Sequence, residues 1–380
     1  MTEIRRLTEV VTGRMRPRHR RFHRAFERLS TDLGLTCQLN PVSYRQRLLM
    51  QTVTRWSGVR TIKLDDRDSL GLLHQALNRG STPYMAEFDL PLALHGYNIA
   101  LHRRAVSEAR RMLEQPHLRA LLTFSDWASR SFGLHFGPDV ERKCRTVYPL
   151  AFEGAKCGSF DRRKYDFSFI STGFRIKSGP EVVRAFAAVR AERREDIKLC
   201  VVTRLHQASA YLGDLRQYPG VEWREANLSE TEIAELLAET RCLLHPSLSD
   251  SFGVVTLEAL AAGCAIIATD FASFPEMVGR ENGWALAAPT ATVVGDSYLT
   301  EFGNVAYHER FLDTLSLHRF EAEIAERMNM FLADSDGARR MMQASRDLYL
   351  RRFAEPVWRS RMRRVLQADL PELGLLPEVQ

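Results

Sequence analysis

The chain lacks the marks of a membrane-spanning or secreted protein. Its 380 residues contain no run of about 18 apolar residues, the length that a membrane-spanning helix needs. The N-terminal sequence has no apolar segment of the kind found in secretory signals. The 6 cysteines are scattered without a Cys-x-x-Cys pair, which argues against a disulfide framework and a structural zinc site. We therefore expect a cytoplasmic protein in a reducing compartment.

Acidic residues are scarce in the first part of the chain. Residues 1–150 carry 25 basic and 14 acidic residues, whereas residues 151–380 carry 28 and 33. The segment 14–29 holds seven arginines and an apolar stripe at helical spacing, formed by Phe22, Phe26 and Leu29. Such a basic helix can lie on an anionic membrane; equally, its stripe can dock into the core while the arginines face solvent. The sequence shows no recognition helix of the kind that binds nucleic acid, so nucleic acid is not an expected partner.

The length predicts two domains, and the apolar periodicity predicts an α/β fold. From residue 165 onward, short apolar strands alternate with amphipathic helices, one of them opened by a capping box at Ser229. This alternation is typical of a parallel sheet covered on both faces. In the first 150 residues the pattern is less regular. It predicts helices at 20–34 and 72–79 and strands at 82–89 and 118–126.

Periodicity is lost between residues 150 and 165, where glycine and charged residues coincide, and we place the domain boundary there. The expected division is an N-terminal Rossmann-like domain at 1–155 and a C-terminal Rossmann-like domain at 156–352. A C-terminal helix and tail at 353–380 can pack back on the N-terminal domain.

The segment 245–278 carries the clearest chemical pattern, HPSLSDSFGVVTLEALAAGCAIIATDFASFPEMV. Its strand is predicted to end near Pro246 and its helix to begin near Val255. The loop between them therefore crosses the carboxyl edge of the sheet, where open α/β folds bind ligands. Gly253 lets the backbone approach a ligand, and the amides of residues 252–255 at the helix start suit a phosphate.

Two acids flank this turn. Glu258, one turn into the helix, is placed to accept hydrogen bonds from a diol such as ribose, and Asp250 from sugar hydroxyls. The alternative is structural: Asp250 caps the turn, and Glu258 is a solvated acid of the first helical turn.

The same segment resembles the nucleotide-sugar motif of retaining GT-B glycosyltransferases of family 4. That motif reads approximately P-S-x-x-E-G-F-G-x-x-x-x-E-A-x-A-x-G-x-P-V-I-A-T, followed by P-E. The matching residues are Pro246, Ser247, Phe252, Gly253, Glu258, Ala259, Ala261, Gly263, Ala268, Thr269, Pro275 and Glu276. Asp250 stands at the family's first glutamate, and Ser251 replaces the glycine that follows it.

A second stretch, 167–189, resembles the strand, loop and helix in which the family holds the donor diphosphate with an arginine and a lysine. Lys177 matches the lysine. The arginine position falls on Thr172 or Ile176, so we expect Arg175 to substitute for it. Residues 121–154 resemble the end of the family's N-terminal domain.

The N-terminal half departs from the family pattern, because residues 1–60 contain no glycine-rich loop. Where a strand of the family ends in a functional histidine or acid, Glu87 and Asp89 are the candidates, with His95 next; each can equally be an ordinary strand-edge or surface residue. The run DDRD at 65–68 contains Asp-x-Asp, which is typical of a turn, and the resemblance implies no metal.

The resemblance implies a GT-B fold, two Rossmann-like domains facing a central cleft, and retaining glycosyl transfer. It implies that the domain at 1–155 binds the acceptor and that the domain at 156–352 binds the nucleotide-sugar. The donor is expected to be a nucleotide diphospho-sugar, most simply a UDP- or GDP-sugar, with no permanently bound cofactor and a saccharide, lipid-linked or small-molecule acceptor. The expected catalytic residues are Asp250, Lys177, Arg175, Glu87 and Asp89. The expected donor-binding residues are Gly173, Ser251, Phe252, Gly253, Val254, Val255 and Glu258. Two alternatives stay open: a sugar-nucleotide epimerase or hydrolase of the same fold, and a non-catalytic nucleotide-sugar-binding scaffold.

Overall fold

The structure is a computed structural model that describes residues 6–11, 17–66, 69–151, 159–194, 196–289, 293–294, 297–298 and 305–370. The chain divides into two α/β units. The first unit consists of residues 1–150, 296–304 and 354–380, and the second of residues 151–295 and 305–353.

The first unit is built on a six-stranded parallel sheet with the order β2-β1-β4-β6-β7-β8. The six strands of this sheet are β1 (Arg6–Val11), β2 (Thr36–Pro41), β4 (Ser69–His74), β6 (Tyr84–Phe88), β7 (Leu118–Thr123) and β8 (Cys144–Thr146). The unit also contains two short strands, β3 (Thr61–Ile62) and β5 (Leu77–Asn78), which pair with each other in a separate sheet. Its helices are α1 (Pro17–Asp32), α2 (Tyr44–Ser57), α3 (Ile99–Leu113), α4 (Asp126–Phe136), α5 (Pro138–Glu141) and, from the end of the chain, α13 (Glu355–Asp369).

The central strands of this sheet are buried on both faces, so their side chains alternate between two cores. On β6, Met85 joins the core under α1 and α13, whereas Tyr84 and Phe88 join the opposite core with α3 and α4. The Phe88 and Phe132 rings meet there with centroids 6.0 Å apart.

Helix α1 places its apolar stripe in the core of the first unit. Phe22, Phe26 and Leu29 are buried, and the Phe22 ring meets Trp358 of α13 edge to face at 5.2 Å. The described part of the 14–29 segment therefore follows the second sequence alternative, the docked surface helix. Residues 14–16 lie outside the described residues.

The second unit repeats the architecture with the parallel order β11-β10-β9-β12-β13-β14. Its strands are β9 (Tyr165–Ile170), β10 (Leu199–Thr203), β11 (Val221–Glu225), β12 (Thr240–His245), β13 (Ala265–Thr269) and β14 (Gly283–Leu286). Its helices are α6 (Gly179–Arg193), α7 (Leu205–Leu212), α8 (Glu230–Ala238), α9 (Val254–Ala261), α10 (Val305–Leu312), α11 (His318–Ala333) and α12 (Ser335–Arg352). Two further two-residue strands follow β14 along the chain, β15 (Val293–Val294) and β16 (Ser297–Tyr298).

The predicted α/β fold with two Rossmann-like sheets is confirmed, and so is the capping box, in which Ser229 and Glu232 exchange hydrogen bonds. The predicted helix at 72–79 is wrong, because this stretch supplies the end of β4 and all of β5. A short apolar run in a fully buried strand has no polar face, so its periodicity does not distinguish it from a helix. The five described cysteines are free thiols, and no helix in the described ranges is long and apolar enough to cross a membrane.

Candidate functional site

The end of β12 and the loop after it form the centre of the candidate site. β12 ends at His245, whose ring is buried, and the chain then crosses the carboxyl edge of the second sheet. The Thr269 hydroxyl at the end of β13 donates to the Ser247 carbonyl over 2.7 Å. The Leu248 amide donates to the Ile176 carbonyl over 3.0 Å, which ties this loop to the loop after β9. The end of β13 and the loop after β9 therefore hold the loop after β12, and together they form one continuous rim at the carboxyl edge of the second sheet.

A tight turn leads from this loop into α9, and the Asp250 side chain closes it. Asp250 Oδ1 accepts the Gly253 amide over 3.0 Å and the Phe252 amide over 3.4 Å. Gly253 has a φ of +77°, and a Cβ at this position would lie 2.6 Å from the Phe274 ring. Both the backbone angle and the close ring require glycine here.

Lys177 reaches the same turn from the loop after β9. Its Nζ donates to Asp250 Oδ2 over 2.5 Å and also to the Ser249 carbonyl. His245 Nε2 lies 3.2 Å from the same Asp250 oxygen. The Lys177 and Asp250 side chains are 14% and 17% exposed, so the ion pair is shielded but borders solvent.

The charges of this cluster follow from its contacts. Burial alone would raise the pKa of Asp250, but the charge of Lys177 and the hydrogen bond from His245 hold it well below its ordinary value. Burial lowers the pKa of His245, and the neighbouring Asp250 opposes that shift only in part. Near neutral pH the site therefore combines an ionised carboxylate with a neutral imidazole whose Nε2–H faces it.

Helix α9 begins one residue earlier than predicted, at Val254. The prediction of four outward-facing amides at 252–255 is also modified, because those of Phe252 and Gly253 are hydrogen-bonded to Asp250. The amides of Val254 and Val255 belong to the first helical turn, which has no intrahelical acceptors. These two amides are the groups at the start of α9 that can donate hydrogen bonds to an anion.

The other predicted donor-binding residues lie along the same rim. Glu258 is partly exposed on α9, one turn after Val254. Ser251 is partly exposed in the turn before α9, and Gly173 lies in the loop after β9, where its amide donates to the Ser171 hydroxyl over 3.1 Å. Their roles toward a ligand stay predictions.

Arg175 is buried and faces the interior of the second unit. Its Nε donates to Asp313 Oδ1 over 2.8 Å, its Nη1 to Glu181 Oε1 over 3.1 Å and its Nη2 to the Leu312 carbonyl over 2.8 Å. These contacts fasten the loop after β9 to the end of α10. They do not favour the predicted role of Arg175 in binding a diphosphate, because all three guanidinium nitrogens are engaged within the unit.

Two histidines of this site were not among the residues predicted from the sequence. His245 orients Asp250, and its Nδ1 is buried without a hydrogen-bond partner in the described structure. His308 of α10 is buried, and burial together with the charges of Lys177 and Arg175 lowers its pKa to about 4. His245 could have been predicted, because it lies at the end of a strand that the sequence pattern already indicated. His308 could not, because only tertiary folding brings it near Lys177.

In the first unit, Glu87 lies inside a buried chain of ionisable groups. Its carboxylate is hydrogen-bonded to His74 Nδ1, and His74 Nε2 lies 2.8 Å from Glu9 Oε1. Burial lowers the pKa of His74, but the charges of Glu87 and Glu9 outweigh burial and raise it to about 10. The carboxylate of Glu87 is thus paired with an imidazolium, which does not favour its predicted catalytic role.

Asp89 lies directly after β6. It accepts hydrogen bonds from the Tyr97 hydroxyl at 3.0 and 2.8 Å. Burial lowers the pKa of Arg60, and the charge of Asp89 opposes that shift only in part. His95 is fully buried, with Nδ1 2.5 Å from the Gly58 carbonyl, and burial lowers its pKa to about 4. Both residues are buried, and their roles toward an acceptor stay predictions.

The Asp-x-Asp run begins in an exposed turn. Asp66 forms an ion pair with Arg6 at 2.7 Å, and Asp65 accepts the Ser81 amide over 3.0 Å. Arg67 and Asp68 lie outside the described residues.

Two Rossmann-like parallel sheets in one chain are the architecture of the GT-B class of folds. Residues 167–295 match the model of the family described as glycosyl transferases group 1.

Solved structures and curated relatives agree with this class. Anabaena Alr3699/HepE, solved with UDP and glucose, superposes with a TM-score of 0.60 at 12% identity over 95% of this chain and 99% of that one. TarM of S. aureus gives a TM-score of 0.56 at 8% identity over 85% and 59%. The alpha-maltose-1-phosphate synthase of Mycolicibacterium smegmatis is 28% identical over 135 residues, which are 36% of this chain and 29% of that protein. The MMP alpha-(1->4)-mannosyltransferase of Mycolicibacterium hassiacum is 31% identical over 124 residues, 31% and 29% of the two chains. The matched stretch thus spans less than a third of these two relatives.

Proposed function

We propose that this protein is a retaining glycosyltransferase that moves a sugar from a UDP- or GDP-sugar to a saccharide, lipid-linked or small-molecule acceptor. The observation that carries the proposal is the cluster of Lys177, Asp250 and His245 at the start of α9. The group 1 family match covers these residues, and a structural neighbour of the same fold was solved with UDP.

The diphosphate would meet Lys177 and the first-turn amides of Val254 and Val255. As the bond to the sugar breaks, negative charge grows on the leaving phosphate, and a fixed ammonium and helix start stabilise that charge. Because the positive charge comes from the protein, the proposed reaction needs no bound metal, and transfer should persist in excess EDTA.

Asp250 would accept hydrogen bonds from the donor sugar, and Glu258 from the ribose. His245 is a positioning residue in this scheme, because its ring fixes the Asp250 carboxylate that Lys177 also holds. Arg175 supports the loop that carries Lys177 and makes no ligand contact. Asp89 is the residue of the first unit that we propose for the acceptor side.

Attack of the acceptor from the face that the nucleotide leaves would retain the anomeric configuration, with the departing phosphate as the base. The names of the two curated relatives describe alpha-linked products, which agrees with retention from an alpha-linked donor. Proton NMR of the product linkage at early times tests this directly: a beta linkage from an alpha donor would refute retention.

A donor screen distinguishes the proposal from its rivals. UDP-, GDP-, ADP- and dTDP-sugars are compared by thermal unfolding, because a ligand at 100 times its Kd stabilises the folded state by about 2.7 kcal/mol. The stabilising donor is then incubated with and without acceptor mixtures. Turnover without acceptor would select an epimerase or hydrolase, and binding without any turnover would select a scaffold.

We further propose that contact with an anionic membrane uses α2 and not the predicted segment 14–29, whose described stripe is in the core. Helix α2 contains no acidic residue and exposes Tyr44, Leu49 and Trp56, the last at 88%. Exposed apolar side chains interspersed with arginines suit an anionic lipid surface. Co-sedimentation with anionic vesicles should weaken in Trp56→Ser, and unchanged binding would exclude α2.

A further inference from the structure

Three residues of metal-ligand type meet in the first unit. Glu9 lies on β1, His23 on α1 and Cys37 on β2, and their ligand atoms all lie within 4.8 Å of one another. Glu9 is fully buried, whereas His23 and Cys37 are partly exposed and so leave a path from solvent. We propose that Glu9, His23 and Cys37 bind a zinc ion.

The donor set determines the choice of metal. A thiolate, an imidazole and a carboxylate together suit zinc, whereas calcium and magnesium prefer oxygen alone. Zinc bonds of about 2.0–2.3 Å place neighbouring ligands about 3.5 Å apart. Glu9 Oε2 and His23 Nδ1, which lie 2.7 Å apart, must therefore separate, while the longer distances of the cluster, up to 4.8 Å, must close. Three protein ligands leave the fourth position to water.

A second layer of contacts already orients the carboxylate. Glu9 Oε2 lies 2.7 Å from His23 Nδ1, while Glu9 Oε1 lies 2.8 Å from His74 Nε2. His74 in turn is hydrogen-bonded to Glu87. Outer partners of this kind fix the orientation of metal ligands and strengthen binding. They also give Glu87, whose contacts do not favour catalysis, a defined task.

Carboxylates lie close to the cluster. Those of Glu9 and Glu87 flank the single imidazole of His74, and burial, followed by the charges of Glu9 and Glu27, raises the pKa of the Cys37 thiol. A divalent cation would balance this charge. On binding, the Cys37 thiol releases its proton to solvent, and His23 binds as a neutral imidazole that keeps its one ring proton on the nitrogen facing away from the metal.

Cobalt titration tests the site, because a thiolate bound to Co²⁺ produces a charge-transfer absorption band. Full-length protein without an affinity histidine tag is treated with a chelator, dialysed and titrated with Co²⁺, then with Zn²⁺. We expect about one equivalent per chain and displacement of the band by zinc. Cys37→Ser should abolish the band, and His23→Gln should weaken binding about tenfold or more.

Matched controls come from the same unit. Cys144 is a partly buried free thiol outside the cluster, and His117 is a partly buried histidine outside it. Cys144→Ser and His117→Gln should keep the band. Absence of a thiolate band in the wild type, its survival in Cys37→Ser, or its loss in Cys144→Ser would overturn the site.

A second measurement covers the case in which Cys37→Ser does not fold. Alkylation of the wild-type protein is followed cysteine by cysteine by mass spectrometry, with and without Zn²⁺. The site requires selective protection of Cys37 by zinc, and equal labelling in both conditions refutes it. Both readouts are independent of transferase activity.

Discussion

Replacing Lys177 with alanine tests the proposed donor site most directly. The substitution removes the ammonium that lies 2.5 Å from Asp250 and leaves that carboxylate shielded at 17% exposure. Two separate losses follow. The protein loses an ion pair, and the proposed diphosphate loses its cation.

The two losses have different expected sizes. Breaking a fully buried pair costs about 3–5 kcal/mol. We expect about 1–2 kcal/mol here, because the pair borders solvent and Asp250 keeps its bonds to Gly253 and His245. A charge-assisted hydrogen bond to a phosphate contributes about 1.5–3 kcal/mol, which corresponds to about a 10- to 100-fold weaker affinity for UDP.

Urea unfolding measures the first loss, and isothermal titration with UDP measures the second. The double variant Lys177→Ala/Asp250→Asn separates them, because it removes the unpaired carboxylate. It should regain most of the stability while UDP affinity stays below that of Asp250→Asn alone. If Lys177→Ala bound UDP within about twofold of the wild type, the assignment of the diphosphate to this lysine would be wrong.

Four further outcomes are expected. Asp250→Glu should change donor preference or rate while UDP affinity stays nearly constant, as measured by competing donors and titration. Gly253→Ala should lower the unfolding free energy by about 2 kcal/mol or more, against about 1 kcal/mol for Gly34→Ala, whose φ is +69° with no atom within 4 Å of the added Cβ; equal losses would contradict the clash. Arg175→Met should reduce stability in urea yet keep UDP affinity, and the reverse pattern would restore its predicted role. Because the pKa of His95 falls from 6.5 to about 4 on folding, the unfolded chain binds the proton more readily. Stability should therefore fall as the pH drops from 6.5 towards 4, and His95→Gln should flatten that profile in urea titrations.

The second unit was predictable because its chemistry lies in one local stretch. Gly253 provides a positive φ and lets a ligand approach the backbone, and the small residues after it let α9 pack closely. The spacing of these residues along the chain is therefore enough to predict the segment. Of the two interpretations of Asp250, the structure shows the cap, and its role toward a ligand stays a prediction. Its Oδ1 closes the turn, while its Oδ2 is turned to Lys177.

The first unit was less predictable because its polar residues act across strands. Glu9 and His74 lie on neighbouring strands of the sheet but 65 positions apart in the chain, so no spacing rule connects them. The strand β1 was not recognised since Thr8 and Glu9 are polar residues in a buried strand. Nearby, the apolar run at 72–79 gave a helical pattern for a stretch that is strand.

The position of α13 has a consequence for how the protein is made. Its residues Trp358, Met362 and Leu366 complete the core that Phe22 and Phe26 begin, and the whole second unit is encoded between them. A ribosome therefore releases the second unit in full before the first can close its core. We expect the unit that is started first to be finished last, with its α1 stripe needing protection during synthesis.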